Sequence, residues 1–110
     1  MPETMQKSGG QVIVDHLIAN GIDRIFSVPG ESFLGAMDAL YERGNEIQFI
    51  NCRQEGGAAF MAAAYGKLTG KPGLFAGQGV FTGSTGMFGV IEAFLASSPM
   101  VVLTELSDHN

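Results

Sequence analysis

Asn51-Cys52-Arg53-Gln54-Glu55-Gly56-Gly57-Ala58-Ala59-Phe60-Met61 runs from the end of an apolar stretch into a run of small residues, with one carboxylate at the junction. Residues 47–52 have the length and apolar content of a strand, and residues 54–68 have those of a helix. A strand that passes through a short polar link into a helix is the unit from which parallel sheets are built. Glu55 then has two readings. In the first turn of a helix a carboxylate interacts with free N–H groups and the positive helix end, an effect of about 0.3–1 kcal/mol. The same carboxylate in a dry cleft can instead share a proton with a ligand nitrogen, with Gly56 and Gly57 allowing close approach.

Outward from this junction the alternation repeats. Residues 11–20 place Val12, Ile13, Leu17 and either Val14 or Ile18 on overlapping helical faces, and Asn20-Gly21 supplies a stop. Residues 24–28 read as a short strand closed by Pro29-Gly30, a turn signal. Residues 33–41 read as a helix with Ser32 as its N-cap, ended by Arg43-Gly44-Asn45. The helix over 54–68 stops near Thr69-Gly70, with Pro72 beyond, and residues 73–76 form a strand. A loop rich in Gly, Thr and Ser covers 77–86 and leads to a helix over 87–96. Ser97-Ser98-Pro99 breaks that helix before β-branched strand material at 100–104.

Four strands alternating with helices over about 80 residues predict an α/β fold of three layers, a mainly parallel sheet flanked by helices. The last strand lies just before the end of the chain, so the sheet is expected to be incomplete at its C-terminal side. Residues 1–10 are expected to be a flexible N-terminus and 11–110 a partial domain. The order of strands in the sheet is not legible from spacing.

Composition removes several classes of function. An apolar content of 45% suits a globular core rather than disorder. The net charge is −5 and the six Lys and Arg do not cluster, which argues against nucleic acid as a partner. No apolar run is long enough to cross a membrane, and the first ten residues lack a signal-peptide pattern. The single cysteine, Cys52, forms no internal disulfide, so a cytoplasmic location is expected.

In an open parallel sheet, ligands bind outside the carboxyl ends of the strands. Residues 29–32, 54–57, 77–84 and 104–108 fall there. Pro29-Gly30 is either a plain turn or a place where a missing Cβ admits a ligand ring or bares a carbonyl. The segment 77–86 has neither the Walker lysine nor the GxGxxG spacing of a phosphate loop. Ser84 lacks the His and Asp that would make it a nucleophile. Cys52 reads as a small core residue, and His16 and His109 have no metal-ligand spacing around them. Glu92, in an apolar helix, belongs either to its less apolar face or to an interface.

Val28-Pro29-Gly30, then Asp38-Ala39-Leu40, the Arg53-to-Ala62 run, Tyr65 and Gly70-Lys71-Pro72-Gly73, taken in order, resemble the N-terminal pyrimidine-binding domain of thiamine-diphosphate enzymes. The branch is the acetolactate synthase and benzoylformate decarboxylase group. The resemblance implies that Glu55 hydrogen-bonds N1′ of the aminopyrimidine and favours the imino tautomer, whose 4′ nitrogen takes the proton of thiazolium C2. It places Pro29 and Gly30 against the pyrimidine. It implies a 2-oxo acid substrate for decarboxylation or carboligation. Mg²⁺ and the diphosphate are expected on a domain or subunit outside this chain, because no Gly-Asp-Gly…Asn signature occurs. The partner is then a second copy in a homo-oligomer or a complementary diphosphate-binding subunit.

Two departures stand out. Family members often have His-Glu-Gln where this chain has Gln54-Glu55-Gly56. The family's Gly-Pro-Gly-Ala-Thr-Asn loop is replaced by Phe81-Thr82-Gly83-Ser84-Thr85. These motivate an alternative, a noncatalytic partner or regulatory domain that keeps the fold.

Overall fold

The structure, a computed structural model, describes residues 6–30 and 33–105. Ser32, expected as a helix cap, lies outside the described residues, as do His109 and most of the segment 104–108.

Helix α1 (Gly9–Ala19) begins with a capping box: the Ser8 hydroxyl accepts from the Gln11 N–H, and the Gln11 side chain accepts from the Ser8 N–H. Residues 9 and 10, expected within the flexible N-terminus, therefore belong to the helix. At its other end Gly21 takes a positive φ of 80°. The N–H groups of Gly21 and Ile22 close back onto Ile18 and Leu17, a C-terminal stop for which Gly has no steric penalty.

Strand β1 (Arg24–Ser27) leads to α2 (Leu34–Glu42), then β2 (Gln48–Asn51), α3 (Glu55–Thr69) and β3 (Gly73–Gly77). The stretch expected as a loop over 77–86 contains a single-turn helix, α4 (Gly79–Thr82). Side chains close this compact turn: the hydroxyls of Ser84 and Thr85 donate to the carbonyls of Val80 and Phe81. Helix α5 (Met87–Leu95) and strand β4 (Met100–Thr104) follow.

The sheet is parallel throughout, in the order β2-β1-β3-β4. The chain steps one way from β1 to β2 and the other way from β2 to β3 and β3 to β4. Right-handed crossovers put helices of opposite steps on opposite faces. Accordingly α1 and α2 cover one face, where Val14, Leu40, Ile25 and Leu74 meet. Helices α3 and α5 cover the other, where Ala58, Ala59 and Ala62 pack on Phe26 and Phe75. Central β3 is buried along its whole length, and each such large apolar side chain contributes about 1.5–3 kcal/mol.

The alanines of α3 set the thickness of the second face. Gly89 of α5 lies directly against Ala59, and Gly73 of β3 against the backbone of Ala62, so a Cβ at either position has no room. The order also fixes a topological switch point. From β1 the chain leaves toward β2 and from β3 toward β4, so a crevice opens at the carboxyl ends of β1 and β3.

Candidate functional site

Four segments leave the carboxyl edge of the sheet, as the strand spacing predicts. After β1 comes Val28-Pro29-Gly30, in which the Gly30 carbonyl accepts from the Phe33 N–H at 3.1 Å. After β2, Cys52-Arg53-Gln54 leads into α3, whose first residue is Glu55. Gln78 follows β3 and serves as the N-cap of α4, its carbonyl accepting from Thr82 at 2.7 Å. Glu105 follows β4.

The segment after β3 touches the other three. A Cβ on Gly30 would lie 2.5–2.7 Å from Cγ, Cδ and Nε2 of Gln78, so the Gln78 side chain lies flat across the face of Gly30. The backbone of Gly56 meets the carbonyl of Thr85, 3.1 Å from where its Cβ would stand. The Gly79 N–H donates to Glu105 Oε1 at 2.8 Å. The missing Cβ of Gly30 thus receives a protein side chain, and its carbonyl is used within a turn. Gln78, Thr85 and Glu105 carry no motif of their own. Position just after a strand could have marked Gln78 and Glu105, whereas Thr85 lies in the turn between α4 and α5.

Glu55 is partly buried in the first turn of α3, while Gly56 behind it is buried and Gly57 is exposed. Gln54 caps the helix through its backbone alone, its carbonyl accepting from Ala58 at 3.1 Å, with no side-chain cap bond. Among the described residues the Glu55 carboxylate accepts no hydrogen bond. Its position in the first turn sets the carboxylate near the free N–H groups at the start of α3. Its lone pairs remain uncommitted to the helix, so a place at the helix start leaves the carboxylate available.

The remaining candidates have local roles. Burial pushes the Cys52 thiol up, away from the thiolate a nucleophile needs, and its sulfur lies 3.6 Å from that of Met61. His16 Nδ1 sits 2.8 Å from the Val12 carbonyl one turn back. Ser84 is spent on the turn after α4. Glu92 is exposed at a groove with Phe60, Ala64 and Lys67. Among the described residues no three His, Cys, Asp or Glu side chains gather as a metal site. No helix of the described residues is long and apolar enough to cross a membrane.

This donor set fits the aminopyrimidine end of a thiamine cofactor: an uncommitted carboxylate beside two residues without side chains. Among the described residues it offers nothing comparable for a diphosphate.

Comparison with known proteins points the same way. The family model described as thiamine pyrophosphate enzyme, N-terminal TPP binding domain, matches residues 7–110. Acetolactate synthase of Bacillus subtilis (strain 168) is 37% identical over 99 residues, covering 90% of this chain and 17% of that protein. The large subunit of acetolactate synthase isozyme 2 of Escherichia coli (strain K12) is 37% identical over 97 residues, covering 88% and 17%. Sulfoacetaldehyde acetyltransferase of Alcaligenes xylosoxydans xylosoxydans is 34% identical over 94 residues, covering 86% and 15%. The X-ray structure of a putative thiamin diphosphate-dependent enzyme from Mycobacterium smegmatis superposes with a TM-score of 0.78 at 25% identity, over 93% of this chain and 19% of that one. The chain thus spans about a sixth of the length of the relatives it matches.

Proposed function

The chain belongs to the thiamine pyrophosphate enzymes through their N-terminal TPP-binding domain, and from that premise we propose that it supplies the aminopyrimidine half of the cofactor site, with Glu55 as the proton partner of the ring. The observation that carries this reading is the state of Glu55: partly buried at the carboxyl edge of the sheet, with no hydrogen bond among the described residues. A carboxylate in that setting holds or releases a proton at a ligand nitrogen, whereas an amide cannot exchange it. Gly57 has open space beside it, and Pro29 and Gly30 border the crevice at β1.

Bound thiamine diphosphate supplies a thiazolium carbon nucleophile and an electron sink for 2-oxo acids. The chain's own residues hold the ring, keep a proton at its N1′ and exclude water on the sheet side. The reaction class is decarboxylation or carboligation of a 2-oxo acid. The diphosphate and Mg²⁺ are held by a domain or subunit outside these residues, in a homo-oligomer or with a complementary partner, in the cytoplasm.

The second reading, a noncatalytic partner domain, draws on Gln54 in place of the family's histidine and on Ser84 and Thr85, whose hydroxyls are used within their own turn. Cofactor affinity separates the two. In the assembled holoenzyme, calorimetry on Glu55→Gln is expected to give a thiamine diphosphate Kd weaker by about 10-fold or more, the loss of one hydrogen bond to a charged group. A purely structural domain leaves that Kd unchanged.

A further inference from the structure

Segment 78–86 is bonded within itself and moves as one piece. The N–H groups of Thr82, Gly83 and Gly86 donate to the carbonyls of Gln78, Gly79 and Phe81 at 2.7–2.9 Å. The hydroxyls of Ser84 and Thr85 donate back to the carbonyls of Val80 and Phe81. One end of the piece lays Gln78 across Gly30, and the other sets the Thr85 carbonyl against Gly56, the neighbour of Glu55. Its start is tied to the end of β4. The Gly79 N–H, left without a helical partner because it opens α4, donates to Glu105 Oε1 at 2.8 Å, across 26 positions of chain. The Glu105 carbonyl lies 2.7 Å from where a Cβ on Gly79 would stand, so side chain and backbone of one residue meet the same glycine.

We infer that Glu105 is a positioning residue for the cofactor: its carboxylate holds segment 78–86 in place, so that the walls at Gly30 and Gly56 stand where the aminopyrimidine needs them. The assignment rests on the reading of this edge as a thiamine-diphosphate site. Glu105 acts through Gly79. A hydrogen bond to an ionised acceptor is roughly twice as strong as a neutral one, which suits a single attachment for a whole turn. Without it the segment keeps its internal bonds and loses its hold on β4. The formed pocket is then present in only a fraction of molecules, and the apparent Kd rises by the inverse of that fraction.

Glu105→Ala removes the acceptor, whereas Glu105→Gln keeps an amide oxygen at the same reach. In the assembled enzyme the thiamine diphosphate Kd of Glu105→Ala, from calorimetry, is expected to weaken about 3- to 10-fold, within the worth of one hydrogen bond to a charged group. Amide exchange over 78–86, followed without cofactor, should quicken in the same variant. Glu105→Gln should bring Kd back to within about 2-fold of the parent and restore slow exchange, the signature of a lost acceptor rather than a lost charge. Gly79→Ala drives a methyl group at the Glu105 carbonyl and should weaken Kd from the other side of the same contact, which covers the case of a Glu105→Ala chain that does not fold. An unchanged Kd in Glu105→Ala and Gly79→Ala, even with faster exchange, would overturn the assignment, as would a Glu105→Gln variant as weak as Glu105→Ala. A parent enzyme that binds no thiamine diphosphate would overturn the reading of the site itself, and the exchange measurement, made without cofactor, keeps the two failures apart.

Discussion

Gly30 and Gln78 form a pair in which the absence of a side chain on one residue makes room for the side chain of the other. The resemblance implies that Gly30 lies against the pyrimidine, and the structure lays Gln78 across the face of Gly30. Gly30→Ala therefore forces the middle of the Gln78 side chain to move, and we expect a destabilisation of about 1–3 kcal/mol, typical of inserting a methyl group where none fits. Adding Gln78→Ala should recover most of that loss, and chemical denaturation of the two single variants and the double variant measures the coupling. Additive losses would contradict the contact. Glu55 and the proline-glycine turn were legible in the sequence because each stands out locally, a lone acid among small residues and a turn dipeptide. Gln78 was not, since its importance comes from a partner 48 positions away in the chain.

At the scale of elements, apolar spacing and breakers located the strands and the longer helices of the described residues to within a residue or two. Such signals are local: Gly21 and Gly70 take positive φ at the two helix stops where the sequence placed them. The short α4 was missed because its turn is closed by hydroxyls bonding back to carbonyls, and a run of Gly, Thr and Ser reads as loop. Strand order was beyond reach because it depends on which faces the helices find. The small residues of α3 matter most at the α3–α5 contact. Gly89→Ala drives a methyl group into the Ala59 side chain and the backbone beside it. The helices must separate, and a loss at or above about 3 kcal/mol is expected from the denaturation midpoint. Gly57→Ala, where nothing stands within 4 Å, is the control and should not destabilise the helix.

For the whole molecule, stability against acid follows from carboxylates held below their usual range. The Lys7 ammonium lowers Asp15, the Arg24 guanidinium lowers Asp23, and the Arg43 guanidinium lowers Glu46. Their ordinary values are 3.8 for Asp and 4.5 for Glu. A carboxylate depressed on folding adds stability that is complete above its unfolded value and is lost as pH falls through the folded one. Tm should thus hold from neutral pH to about 5 and decline below it. The decline should shrink in high salt, because the pairs are exposed. A Tm that rises on acidification would contradict these ion pairs. The account as a whole rests on Glu55 exchanging a proton with the cofactor ring. The direct measurement is hydrogen–deuterium exchange at thiazolium C2 in the holoenzyme, comparing the parent with Glu55→Gln. A fall of about 10²–10⁴-fold in the exchange rate is predicted, the usual contribution of a positioned acid–base group; exchange near the parent rate would contradict the role of Glu55.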